Sequence, residues 1–133
     1  MSAPLDPSAA PPLTRVVETA LYFDDLPAAA AFYRDVLGLR EQPTPSTLAD
    51  MNLVWFSAGD GLELHFFPEP PDVKTRRHFC FDIDDLEDTR RRLQEAGLEP
   101  FDDTPIPNRP RFFCRDPVGN LIEFTSIEGD YRE

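Results

Sequence analysis

Two pairs of metal-capable side chains stand sixty positions apart in this 133-residue chain: Glu18 with His78, and Glu63 with Glu123. Carboxylates and a neutral imidazole ligate divalent ions. One histidine among carboxylates suits a hard or borderline ion such as Mn, Fe, Co, Ni or Zn rather than a sulfur-loving one. Such an ion polarises substrate oxygens and stabilises an enolate or alkoxide. Three carboxylates around one ion leave surplus negative charge, so Glu63 or Glu18 could leave it and serve as general base. Taken singly, each of the four is as readily a solvated or hydrogen-bonded strand residue. Their matched positions are what favour a shared centre.

The matching extends to the surrounding chain. Glu18-Thr-Ala-Leu-Tyr-Phe-Asp-Asp-Leu26 aligns with His78-Phe-Cys-Phe-Asp-Ile-Asp-Asp-Leu86, and Leu62-Glu63-Leu64 with Ile122-Glu123-Phe124. Alternating side chains predict strands over 15–23 and 78–83. Asp24-Asp25 and Asp84-Asp85 offer helix N-caps, for helices over 28–37 and 86–96 that end at Gly38 and Gly97. Short strands follow at 39–42 and 98–101. Hairpins are expected from 52–58 with 62–67, around Gly59-Asp60-Gly61, and from 111–115 with 120–126. Each half reads β-α-β-β-β, an α+β fold of two tandem modules. Module one spans 14–67, a Pro-rich linker 68–76 and module two 77–127, with tails at 1–13 and 128–133.

Composition narrows the function. Hydrophobic content of 41% with eleven Phe marks a folded domain. A formal charge of −12 argues against nucleic acid as partner, and is compatible with a cationic ligand or with simple solubility. No apolar run is long enough for a membrane span, and the first residues lack the pattern of a signal peptide. Cys80 and Cys114 are too few for a disulfide framework. They are expected to be reduced, buried thiols in a cytoplasmic protein.

The repeat, the Asp24-Asp25-Leu26 segment leading to Phe32-Tyr33-Arg34-Asp35-Val36-Leu37-Gly38-Leu39, and the closing Arg115-Asp116-Pro117-Val118-Gly119-Asn120-Leu121-Ile122-Glu123-Phe124 resemble the vicinal oxygen chelate superfamily. That group takes in glyoxalase I, extradiol dioxygenases, fosfomycin resistance enzymes and bleomycin resistance proteins. The resemblance covers about residues 14–127. It implies a curved mixed sheet cup, the glyoxalase/bleomycin resistance fold, around a divalent metal. The ligand positions it implies are Glu18, Glu63, His78 and Glu123, where Glu18 replaces a more usual His.

Further residues have a place in this picture. His65, on the same face as Glu63, could replace it as ligand or act in acid–base chemistry, although the repeat favours Glu63. Arg109 and Arg111 could anchor an anionic substrate. Tyr22 and Phe67 stand where glyoxalase I has an Arg and an Asn, so a glutathione substrate is disfavoured while both remain candidate substrate contacts. The leading expectation is a metal-dependent lyase or isomerase that chelates a small oxygenated substrate. One alternative is a non-catalytic, bleomycin-resistance-like protein sequestering a cationic drug or metabolite, which the charge and aromatic content favour. Another is an extradiol-type dioxygenase, whose two-His, one-carboxylate set would require His65. A homodimer is expected, since sheet edges prefer to be covered.

Overall fold

The computed structural model describes residues 4–13 and 15–132. Thr14, the expected start of module one, and residues 1–3 and 133 of the expected tails lie outside them. Module one contains β1 (Glu18–Tyr22), α1 (Leu26–Ala31), β2 (Arg40–Gln42), β3 (Val54–Ser57) and β4 (Glu63–Phe67). Module two contains β5 (His78–Asp82), α2 (Leu86–Glu95), β6 (Arg111–Arg115) and β7 (Leu121–Thr125). The strands form two sheets, ordered β1-β4-β3-β2 and β5-β7-β6. In each, the first strand of the module lies parallel to the last. This is the glyoxalase/bleomycin resistance architecture, with two sheets in a cup-like arrangement.

Caps set where the helices begin. Asp25 accepts the Ala28 N–H at 3.2 Å, and Asp85 accepts the Asp88 N–H at 3.0 Å. The endings differ. The first helix was expected to run regularly over 28–37, but α1 stops at Ala31 and continues as a π turn, Phe32–Val36. There the Leu37 N–H reaches back five residues to the Phe32 carbonyl at 3.1 Å. A π turn accommodates one residue more than α geometry. Gly38 and Gly97 follow the helices at φ +72° and +84°, left-handed values that glycine adopts without strain. The strand expected at 98–101 is reduced to a single bridge, Phe101 with Phe113. Sheet two therefore has three strands rather than four.

The helix-facing residues of both sheets meet the helices in one core. It joins Leu21, Phe56, Leu64, Phe66, Phe112, Ile122 and Phe124 to Ala29, Phe32 and Leu93. Polar pins cross it. Arg92 of α2 donates to the Val36 carbonyl at 3.0 Å, and Tyr33 of the π turn donates to Asp116 at 2.7 Å. Asn120, just before β7, accepts the Tyr22 N–H at 3.2 Å and donates to the Tyr22 carbonyl at 2.8 Å. One buried side chain thus holds both polar groups at the end of an edge strand in the other module. Asn120→Ala is expected to cost about 1–3 kcal/mol of folding stability. Urea unfolding checks this, and a midpoint equal to the parent's would refute the pinning role.

Candidate functional site

Strand alternation sorts side chains between the two faces of each sheet. Because Leu21, Leu64 and Phe66 face the helices, Glu18, Ala20, Tyr22, Glu63, His65 and Phe67 face the other way, as does Trp55, which pairs with His65. In module two the same open face carries His78, Cys80, Arg111, Phe113, Leu121 and Glu123. None of the four expected ligands points into the core between sheet and helix.

The register corrects the sequence alignment. His65 lies opposite Ala20 on β1 and Trp55 on β3. Glu123 lies opposite Cys80 on β5 and Phe113 on β6. Glu18 pairs with Glu63, but His78 pairs with Leu121. The structural counterpart of Glu123 is therefore His65, and that of Glu63 is Leu121. The shift of sixty holds for the first strands and the caps. It is fifty-nine at Gly38 and Gly97, and fifty-eight at Trp55 and Phe113. The π turn takes up the first of the two extra residues in module one.

Each module thus presents one His–Glu pair, with the types exchanged between strands. In module one, Glu18 Oε2 is 2.6 Å from His65 Nδ1. In module two, His78 Nε2 is 3.2 Å from Glu123 Oε1. Their surroundings differ. His65 is buried and stacks flat on Trp55, with ring centroids 3.7 Å apart and an interplanar angle of 4°. Its Nε2 faces Glu63 Oε1 at 3.1 Å. His78 is a third exposed, and its Nδ1 lies 2.8 Å from the Arg76 carbonyl, to which it donates. Glu123 is buried, and its Oε2 is approached by Arg111 at 3.5 Å and Arg109 at 3.8 Å.

These pairs fit a divalent ion by their donor chemistry. With Nδ1 of His78 donating to a carbonyl, its Nε2 and the facing carboxylate both offer lone pairs unless a proton or a cation lies between them. His65 has a carboxylate at each ring nitrogen; its one N–H can donate to only one of them, so the other nitrogen poses the same demand. A backbone carbonyl that fixes the imidazole tautomer is a usual support for a metal ligand. A single chain does not assemble the whole set. Among the described residues no three His, Cys, Asp or Glu side chains converge as a metal site. In module one the reason is geometric, since the two ring nitrogens of His65 point to different carboxylates. Glu18, Glu63 and His65 come together, as do His78 and Glu123, but the two groups remain apart.

The remaining candidates fall around these groups. Tyr22 and Phe67 lie together on the open face of module one, ring centroids 6.4 Å apart. Arg109 and Arg111 flank Glu123 in module two. A groove of about 230 Å³ runs between the modules, bordered by Thr19, Ala20 and Tyr22 on one side and Arg77, His78 and Asn120 on the other. Trp55 is the platform for His65. Cys114 is buried as expected, but Cys80 is exposed on the open face. Desolvation, and then the Glu123 carboxylate, push the Cys80 thiol up to about 11. It is therefore no ready nucleophile at neutral pH.

Fold and the paired His–Glu positions together define a two-module protein of the vicinal oxygen chelate type. The profile of the Glyoxalase/Bleomycin resistance protein/Dioxygenase superfamily matches residues 15–124, and the chain belongs to that superfamily. Among solved structures it is similar to a glyoxalase family protein from Bacillus anthracis, at 27% identity and a TM-score of 0.79, over 89% of this chain and 98% of that one. It is also similar to a lactoylglutathione lyase from Agrobacterium tumefaciens, at 31% identity and a TM-score of 0.67, over 87% and 96% of the two chains. A glyoxalase/dioxygenase from Nostoc punctiforme shares 26% identity with a TM-score of 0.77, over 97% and 99%. A search of the curated proteins returns no match. No helix among the described residues is long and apolar enough to cross a membrane.

Proposed function

We propose that this protein is a metal-dependent lyase or isomerase acting on a small oxygenated substrate, with the centre completed by a second copy of the chain. The observation that carries the reading is the His–Glu pair at equivalent register on the open face of each module. Glu18 and His65 of one copy and His78 and Glu123 of the other would hold the ion, with Glu63 as the alternative to His65. When bound, a divalent ion supplies Lewis-acid stabilisation of negative charge developing on two substrate oxygens.

The chain's own side chains would do the rest. Glu63 is one-third exposed beside His65 Nε2. It is placed to take a proton from a substrate carbon and return it elsewhere. Glu18, half-exposed on the other ring nitrogen, is the second candidate for that role. Tyr22 and Phe67 offer an apolar wall for the substrate's carbon skeleton. His65, His78 and Glu123 also make up a two-His, one-carboxylate set, which favours a second reading as an extradiol-type dioxygenase selecting Fe(II).

Purification without chelator, followed by elemental analysis and light scattering, tests the proposal. About one divalent ion per chain and a mass of about twice 15.1 kDa are expected. Iron as the bound metal would favour the dioxygenase reading. A monomeric, metal-free protein that stays so after incubation with Mn, Fe, Co, Ni and Zn would defeat both readings, leaving a binding protein for cationic small molecules.

A further inference from the structure

We infer that Arg109 and Arg111 form a subsite for an oxyanion group of the substrate, a carboxylate or a phosphoryl group, which opens as Glu123 turns toward the ion. Both guanidinium groups lean on one carboxylate oxygen, at 3.5 and 3.8 Å. These distances exceed the roughly 2.7–2.9 Å of a strong charge-assisted hydrogen bond. The Nε atoms of both residues are buried and have no hydrogen-bond partner. The two side chains are only 22% and 16% exposed, so water satisfies them poorly. Two fork-shaped donors are therefore gathered at one place with most of their capacity unused.

Both forks are also held in position. Arg109 lies over the Tyr131 ring at 4.7 Å, and Arg111 over the Phe113 ring at 5.3 Å. Arg111 Nη2 donates to the Thr104 carbonyl at 2.9 Å. Three further carboxylates, Asp102, Asp103 and Glu128, border the same groove as Arg111. Asp103 is engaged 3.5 Å from Arg76. Asp102 is likewise engaged 2.6 Å from Arg90. The role in catalysis rests on the metal reading above. Drawing Glu123 to an ion would leave two largely covered cations without their partner, which is costly. A substrate oxyanion would take its place, coupling substrate binding to metal binding.

The test uses metal-free protein, so it stands whether or not the metal reading does; metal binding by His78→Ala is measured separately. Acetate and methylphosphonate are titrated while the arginine Nε–H resonances are followed by NMR. Saturable shifts of the Arg109 and Arg111 signals are expected with at least one of the two, and the tighter probe names the oxyanion class. Arg109→Gln and Arg111→Gln should each weaken binding about tenfold or more, the loss of a charge-assisted hydrogen bond. Arg91→Gln, on the exposed face of α2, should bind as the parent does. Glu123→Gln should bind more tightly by removing the competing carboxylate, and saturation in that variant alone also supports the subsite. The inference is overturned if neither probe saturates in the parent or in Glu123→Gln. It is equally overturned if both arginine variants bind as the parent does. If Arg111→Gln fails to fold, the more exposed Arg109→Gln carries the comparison.

Discussion

His78→Ala is expected to lose tight divalent-ion binding by a factor of about a hundred or more, while melting close to the parent. Loss of an outer-shell group alone typically costs about 10–100-fold in metal affinity, so loss of a direct nitrogen donor should cost at least the upper end of that range. The fold should survive because His78 is a third exposed and packs edge-on against a single ring, Phe113. Glu123→Ala should lose the ion as well, but should also melt earlier, since it strips two largely covered guanidinium groups of their carboxylate. The comparison of His65→Ala with Glu63→Gln then ranks the module-one donors. If the register governs, His65→Ala behaves like His78→Ala, and Glu63→Gln keeps its metal. The opposite ranking would return Glu63 to the role the sequence repeat gave it. Metal content after dialysis decides, and equal content in His78→Ala, Glu123→Ala and the parent would end the metalloenzyme reading.

The largest loss of stability is expected at Asp116. Its Oδ1 accepts the backbone N–H groups of Val118, Gly119 and Asn120 at 2.8–3.0 Å. Its Oδ2 accepts the Tyr33 hydroxyl at 2.7 Å and the Asn120 side chain at 2.9 Å. Asp116→Ala leaves these buried donors without an acceptor, at about 1–3 kcal/mol for each that water cannot reach. A loss of about 4 kcal/mol or more is expected, close to the whole stability of a marginal domain. Asp116→Asn should be milder, because its amide oxygen still serves the three backbone donors.

Asp116 also leaves a mark on pH dependence. Burial raises its carboxyl above the usual aspartate value, against the hydrogen bonds that lower it. The folded state therefore holds this proton more tightly than the unfolded chain. The proton-linked part of its contribution is fully present below the unfolded value and is lost as pH rises through the raised folded value, on top of the hydrogen bonds described above. Urea midpoints across the acid range should show this downward step for the parent and not for Asp116→Asn. Identical profiles for the two proteins would contradict it.

Much of this architecture was readable from residue types. Asp25 and Asp85 are caps because a short carboxylate can reach a free N–H three residues on. Gly59-Asp60-Gly61 turns the hairpin because the glycines accept positive φ. What misled was the assumption that one repeat shift holds throughout a module. A π turn inserts a residue without disturbing the pattern of apolar side chains, so the helix still looks regular in sequence. The spacing of Gly38 and Gly97 carried the warning, since it is already one short of sixty. The reduction of the strand at 98–101 to one bridge, and the placing of Asp116 beneath Tyr33, depend on contacts 12 and 83 residues apart in the chain. No local pattern encodes those.

The exchange of histidine and glutamate between the halves has a stereochemical consequence. In the proposed centre each half contributes one nitrogen and one oxygen donor, so the ion by itself scarcely distinguishes the two ends of a chelating ligand. The walls do distinguish them: indole, phenol and carboxylate on one flank, two guanidinium groups on the other. Handedness of turnover would then be set by these flanking groups rather than by the coordination sphere. Under that reading, exchanging the flanks while keeping the donors would invert the enantiomer turned over.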